Sequence, residues 1–209
     1  MKIVSMTAST RMQDRYYAKL ENGETLKVNT AHIADYSLFT GRELSDEEFA
    51  ELVRDTNRAQ AKSRALRMVS SRPMSEQEVS DRLRAKGVAE EDAKDAVELL
   101  QRIGAVNDEE YAGMIVRHYS AKGYGLSRIK NELFRRGVPR KLWDGALAQM
   151  PDSDAVLDQL IGSKLSSRTV DRKEIKKITD MLCRRGFSWE EIRSALARAE
   201  LQTGETADD

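Results

Sequence analysis

From residue 79 onward one pattern is written three times, and it limits what this chain can fold into. It reads Val79, Leu83, Gly87-Val88 and Ala96-Val97, then Ile129, Leu133, Gly137-Val138 and Ala146-Leu147, then Ile178, Leu182, Gly186-Phe187 and Ala195-Leu196. The glycines lie 50 and then 49 positions apart. A fixed period of this length marks stacked helical units, each too small to bury its apolar face alone. An apolar residue, a Leu four places on and a Gly four places further describe a helix with one buried face, ended by a residue that accepts positive φ. The Ala-Val or Ala-Leu pair nine and ten places after each glycine marks the buried face of a second helix. A further apolar-periodic stretch precedes each pair: Ala65, Leu66 and Val69, then Tyr111, Ala112, Ile115, Val116 and Tyr119, then Val156, Leu157, Leu160 and Ile161. Each repeat is therefore read as three helices.

The predicted fold is mostly α, with three tandem three-helix repeats forming an elongated curved stack. Capping boxes mark helix starts at Ser75 with Glu78, Asn107 with Glu110 and Ser188 with Glu191. The N-terminal stretch differs in kind. Tyr16–Leu20, Glu21-Asn22-Gly23-Glu24 and Thr25–Val28 form a hairpin signal, with Asn-Gly favouring a tight primed turn and Ile3-Val4 a candidate extra strand. A lone hairpin is marginal in water, so it should pack on the following helix or pair with a third strand. That helix is capped at Ser45, carries Phe49, Leu52 and Val53, and meets a polar stretch from Arg54 to Arg64 whose continuity the pattern leaves open. The expected organisation is a hairpin extension over 1–45, a linking helix with the first repeat over 46–107, further repeats over 108–151 and 152–202, and a disordered tail over 203–209.

The zero formal charge hides a division. Residues 1–110 hold 17 Lys/Arg against 21 Asp/Glu, residues 111–186 hold 16 against 8, and residues 187–209 hold 2 against 6. A basic middle of this size suits a polyanion or an acidic protein face, although helical repeats also carry solvated Lys and Arg, and composition leaves both readings open. No export signal and no stretch of ~18 apolar residues is visible, so the protein is expected in the cytoplasm, with no membrane contact. The single Cys183 excludes an internal disulfide framework and reads as an inert thiol at a partly exposed helix position.

The densest candidate surface is Arg117 to Arg128. Gly123 and Gly125 allow a tight turn and present Tyr124, ringed by Arg117, Lys122, Arg128 and Lys130, in a combination suited to phosphate and base contacts. The competing reading packs Tyr124 into the interhelical corner. No phosphate-binding loop is present, since no Gly-Lys-Ser/Thr follows and the glycines do not open a helix after a strand. Trp143 and Trp189 read as core residues at helical spacing. His32 and His118 have no ligand partners at metal spacing, so no metal or cofactor is expected. No nucleophile elbow, metal pair or nucleotide loop points to an enzyme.

The runs Arg72-Pro73-Met74-Ser75-Glu76-Gln77-Glu78-Val79, Asn107–Ala112 through Val116-Arg117, Lys122-Gly123-Tyr124-Gly125 with Ile129, Glu132-Leu133 and Arg136-Gly137-Val138 together resemble the RecX family of recombination regulators over about residues 60–200. Residues 1–50 lie outside that pattern. The resemblance implies a non-enzymatic modulator that binds the RecA recombinase along the groove of its filament on single-stranded DNA, inhibiting ATP hydrolysis, strand exchange and co-protease activity, and expected as a monomer. Arg117, Lys122, Tyr124, Arg128, Lys130, Arg135, Arg136, Arg140 and Lys141 of the middle repeat, with Arg168, Arg172, Lys173, Lys176, Lys177, Arg184 and Arg185 of the third, are the candidate contacts with the filament or DNA. The Arg135-Arg136 and Arg184-Arg185 pairs close helices, where cations also favour the dipole. The alternative is a helical module that binds single- or double-stranded DNA directly.

Overall fold

A computed structural model describes residues 1–165 and 172–205. Alternation along the first strands places Ile3, Ala18, Leu20 and Val28 on one buried face. They belong to β1 (Ile3–Ala8), β2 (Tyr16–Leu20) and β3 (Thr25–Val28), an antiparallel sheet in that order. The Asn-Gly hairpin forms, but without the primed two-residue turn. Only Gly23 has positive φ in the loop, the Leu20 amide reaches the Glu24 carbonyl at 2.8 Å, and the result is a three-residue loop closed by a left-handed glycine. Both expected supports for the hairpin are present, since β1 pairs with β2 and the sheet face packs with Leu38, Leu44, Leu52 and Phe49.

Asn29 caps α1 (Thr30–Asp35) in a reciprocal box with His32, which occupies that buried histidine structurally. Ser45 and Glu48 make a second box that starts α2 (Asp46–Ser71). The polar stretch from Arg54 to Arg64 does not break this helix, which runs unbroken for 26 residues. Small residues on its buried face, Ala61 and Ala65, allow close packing against α4 (Glu90–Arg102), and α3 (Glu76–Arg84) lies between the two in sequence. The middle repeat is α5 (Asp108–Ala121), α6 (Leu126–Arg135) and α7 (Trp143–Leu147), the last entered through a short 3-10 turn at Arg140–Leu142. The third is α8 (Ser153–Leu165), α9 (Arg172–Arg185) and α10 (Trp189–Glu205). The three-helix count per repeat is met in all three. Helix α10 continues through Thr203 to Glu205, past the expected start of the tail, and 206–209 lie outside the described residues.

Two compact units emerge, one of Met1–Arg72 with Val79–Ala105, the other of Pro73–Glu78 with Val106 onward. In the second unit Tyr111, Ala112, Ile115, Val116, Ile129, Leu133, Val138 and Ala146 form one core, and Leu157, Ile161, Ile178, Leu182, Phe187, Ile192 and Ala195 form another. Trp143 joins the first of these, half-buried, with its indole N–H donated to the Val138 carbonyl at 3.0 Å. Trp189 does not behave as read from spacing. It is the first residue of α10, where its ring points outward and is 65% exposed.

Candidate functional site

The middle of the basic segment is a joint between repeats. Each repeated glycine ends its helix in the same way: φ is +76° at Gly87, +68° at Gly137 and +91° at Gly186, and the next amide returns to the carbonyl of the Leu four residues before the glycine at 3.1–3.3 Å. The start of the preceding repeat's second helix then sits on that turn. The Ser75 hydroxyl donates to the Arg136 carbonyl while accepting from the Glu78 amide, and a side chain at Gly137 would fall 2.8 Å from Gln77 Cβ. One repeat later, the Gly125 amide donates to the Arg185 carbonyl at 2.9 Å and the Ser127 amide to the Gly186 carbonyl at 3.1 Å. Gly125, with φ −82°, is required by closeness rather than by handedness, since a Cβ there would lie 2.6 Å from the backbone of Gly186.

Tyr124 therefore packs in the corner. Its ring lies 5.5 Å from that of Tyr119, with the Arg128 guanidinium 5.9 Å and the Arg185 guanidinium 5.6 Å from its centroid. Arg185 also donates to the carbonyls of Lys122 at 2.8 Å and Gly123 at 3.1 Å, covering acceptors that the end of α5 leaves without helical partners. Glu132, its side chain only 5% exposed, gathers Arg128 again at 3.2 Å together with two more candidates, Arg135 at 3.1 Å and Arg136 at 3.7 Å. Arg136 further donates to the Tyr111 hydroxyl at 2.8 Å. Burial alone pulls the Arg136 guanidinium down, but the phenols of Tyr111 and Tyr119 more than offset it and hold the proton more tightly than in water. Asp108 accepts the first amide of α3, from Glu76, at 2.9 Å, and its burial raises its carboxyl above the usual range.

The fold thus divides the candidates. Arg128, Arg136, Arg185 and Tyr124 are half-buried in joints and ion pairs. Arg117, Lys122, Lys130, Arg135, Arg140 and Lys141 are exposed in the middle repeat, as are Arg172, Lys173, Lys176, Lys177 and Arg184 in the third. Arg117 rests on Gln149 at 3.0 Å, and Arg140 lies 5.6 Å over the Trp143 ring. Arg168 lies outside the described residues. Two features escaped the sequence reading. Leu126, Lys130 and Phe134, spaced four apart on α6, share one helix face, with Phe134 65% exposed. Its only signal was position: it takes the slot held by Arg84 and Cys183 in the other repeats, both exposed. The second is Glu132, a buried acid whose role becomes visible only once three arginines surround it.

Among the described residues no group of His, Cys, Asp and Glu is arranged to hold a metal ion, and no helix is long and apolar enough to cross a membrane. The sequence matches family models for the first, second and third three-helix domains of RecX over residues 61–100, 107–147 and 154–196. Regulatory protein RecX of Oceanobacillus iheyensis is 31% identical over 196 residues, spanning 89% of this chain and 72% of the relative. That of Caldanaerobacter subterraneus subsp. tengcongensis is 30% identical over 159 residues, spanning 75% and 79%. The fold is shared with a crystal structure of regulatory protein RecX at a TM-score of 0.67 and 22% identity, covering 94% of this chain and 98% of that one. RecX from Lactobacillus salivarius gives 0.62 at 23% identity, covering 69% and 97%. Each matched domain encloses one of the three glycine turns, the helix before it and at least the start of the helix after it, and on that correspondence the chain belongs to the RecX family of regulatory proteins.

Proposed function

We propose that this protein binds the RecA recombinase and its filament on single-stranded DNA and inhibits ATP hydrolysis, strand exchange and co-protease activity, by lodging the basic surface of its middle and third repeats in the filament groove. Family membership supports the partner, and the exposure of eleven candidate cations on those two repeats is the observation that most supports the surface. Exposed cations reach a polyanion or an acidic groove at little cost: of the eleven, Arg117, Arg135 and Arg140 would exchange a solvent-exposed contact with Gln149, Glu132 or Trp143. Lys122 and Lys130 are the residues to vary, because reversing Arg128 would set a second carboxylate beside Glu132 and report on folding.

The test is ATP hydrolysis by the cognate RecA on single-stranded DNA, titrated with wild type and with Lys122→Glu/Lys130→Glu. Substoichiometric inhibition that the variant loses, with helix content unchanged, is the expected result. Hydrolysis untouched by wild type, together with tight binding to naked DNA at physiological salt, would replace this reading with a direct DNA-binding module.

A further inference from the structure

The repeated joint has two occupied copies and one open one. At Gly137 the occupant is the helix start Ser75–Glu78, and at Gly186 it is the helix start Gly125–Arg128, four residues ahead of Val79 and Ile129 respectively. In both, the capping residue donates a proton to the carbonyl of the residue before the glycine, Arg136 or Arg185. The third turn has the same backbone. Gly87 has φ +76°, its amide returns to the Arg84 carbonyl at 2.9 Å and that of Val88 to Leu83 at 3.2 Å, against 3.0 Å and 3.1 Å at Gly137 and Val138. Yet Gly87 is exposed where Gly137 and Gly186 are partly covered, and a Cβ placed on it would meet nothing within 4 Å. A pocket of about 290 Å³ opens there, lined by Gln60, Arg64, Lys86, Gly87, Ala89 and Asp92 among others.

We infer that the Gly87 turn is a docking socket for the first turn of an α-helix on RecA, a proposal that rests on the function proposed above. The chain's own joints define the chemistry: a small capping residue, Ser, Thr or Gly, whose hydroxyl or amide donates to the Lys86 carbonyl. Arg64 and Lys86 outnumber Asp92 around the pocket, so the incoming turn carries Asp or Glu, like the Glu76 and Glu78 turn at Gly137 and unlike the one at Gly186, whose first turn has no acid. A second copy of this chain is the poorer occupant. Its third repeat would have to present the equivalent helix start, but there α9 already begins at Arg172, and the position matching Ser75 and Gly125 is Glu174, inside the helix.

The experiment measures binding of the full-length protein to cognate RecA assembled on single-stranded DNA, for wild type, Ala89→Trp, which fills the pocket, and Lys86→Glu, which opposes an acidic turn. Both positions are exposed, and urea unfolding of each variant is compared with wild type so that a loss of fold is recognised; should Ala89→Trp unfold early, Lys86→Glu decides. Wild-type binding that weakens about tenfold or more in a variant of unchanged stability is the expected result. Variants that bind as tightly as wild type would overturn the socket and leave the proposed function standing. Wild type that does not bind the filament would overturn both.

Discussion

Gly125→Ala measures how much the joint between the middle and third repeats contributes. The added Cβ would sit 2.6 Å from the Gly186 carbonyl carbon and oxygen and 2.7 Å from the Phe187 nitrogen, where ordinary contact begins near 3.4 Å. These are backbone atoms, so no side chain can swing aside. The two segments must part by about 0.8 Å, which stretches the 2.9 Å Gly125–Arg185 and 3.1 Å Ser127–Gly186 hydrogen bonds beyond useful length. Losing the two bonds costs about 1 kcal/mol each, and the steric insertion about 1–3 kcal/mol more. The helix-propensity gain of Ala over Gly is largely absent at a capping position, leaving a net loss of about 3–5 kcal/mol. Urea unfolding should report that loss, and amide hydrogen exchange at residues 125 and 127 should accelerate while exchange in β1–β3 is unchanged. Gly162→Ala is the control, since it lies inside α8 with nothing within 4 Å of its Cβ and should gain about 0.5–1 kcal/mol. A Gly125→Ala protein within 0.5 kcal/mol of wild type, with exchange at 125 and 127 unaltered, would refute the account of the joint.

Glu132→Gln removes the charge that three arginines share; because those arginines remain 34–69% exposed and screened by solvent, the loss should fall below that of a fully buried broken pair, at about 2–3 kcal/mol by urea unfolding. A change below ~0.5 kcal/mol would mean the three contacts are incidental. Arg185→Lys keeps the charge but cannot bridge the Lys122 and Gly123 carbonyls while covering Tyr124, so it should cost about 1–2 kcal/mol, and unaltered stability would mark Arg185 as a surface cation. In acid, Glu48 and Glu191 set the direction. The Ser45 amide holds Glu48 low, while burial pushes Glu191 up and the Ser188 amide and hydroxyl more than offset it. Both folded values lie below the unfolded one, so their stabilisation is present above about pH 4.3 and is lost as pH falls through the folded values. Asp108, raised by burial, works in the opposite sense. The urea midpoint should therefore drop less between pH 5 and pH 3 in Glu48→Gln/Glu191→Gln than in wild type, and equal drops would contradict the assignment.

Much of the fold was legible because its determinants are local. A capping box needs only Ser and Glu three residues apart, and Ser45, Ser75 and Ser188 each accept the amide that the spacing names. The glycine turns are set by φ, which the residue type announces. Other features depend on what a face meets, which spacing within one helix does not say. The polar run from Arg54 to Arg64 continues α2 because Ala61 and Ala65 pack against α4. Trp189 has apolar neighbours in sequence yet stands at the first position of its helix, facing out. Gly125 reads as a turn residue, and its actual constraint, the backbone of Gly186, lies 61 residues away. Of the candidate surface, sequence located the basic segment but could not sort its members, because sorting them requires knowing that Glu132 and Tyr124 are half or wholly buried beneath them.

That sorting follows residue chemistry. The cations drawn into the joints, Arg128, Arg136 and Arg185, are all arginines, whose planar fork can serve a carboxylate, a carbonyl and an aromatic face together. Every candidate lysine among the described residues is exposed, as suits a compact, strongly hydrated charge that gains little from partial burial. Charge within this basic segment therefore does two jobs at once. Arg185 ties the third repeat to the middle one and Arg128 and Arg136 brace the middle repeat, while the exposed lysines with the outer arginines set the field at its surface. A substitution series that reverses all of them alike would confuse loss of fold with loss of binding. Reversing Lys122, Lys130, Lys173, Lys176 and Lys177 perturbs the field alone, whereas altering Arg128, Arg136 or Arg185 perturbs the scaffold that holds those lysines in place.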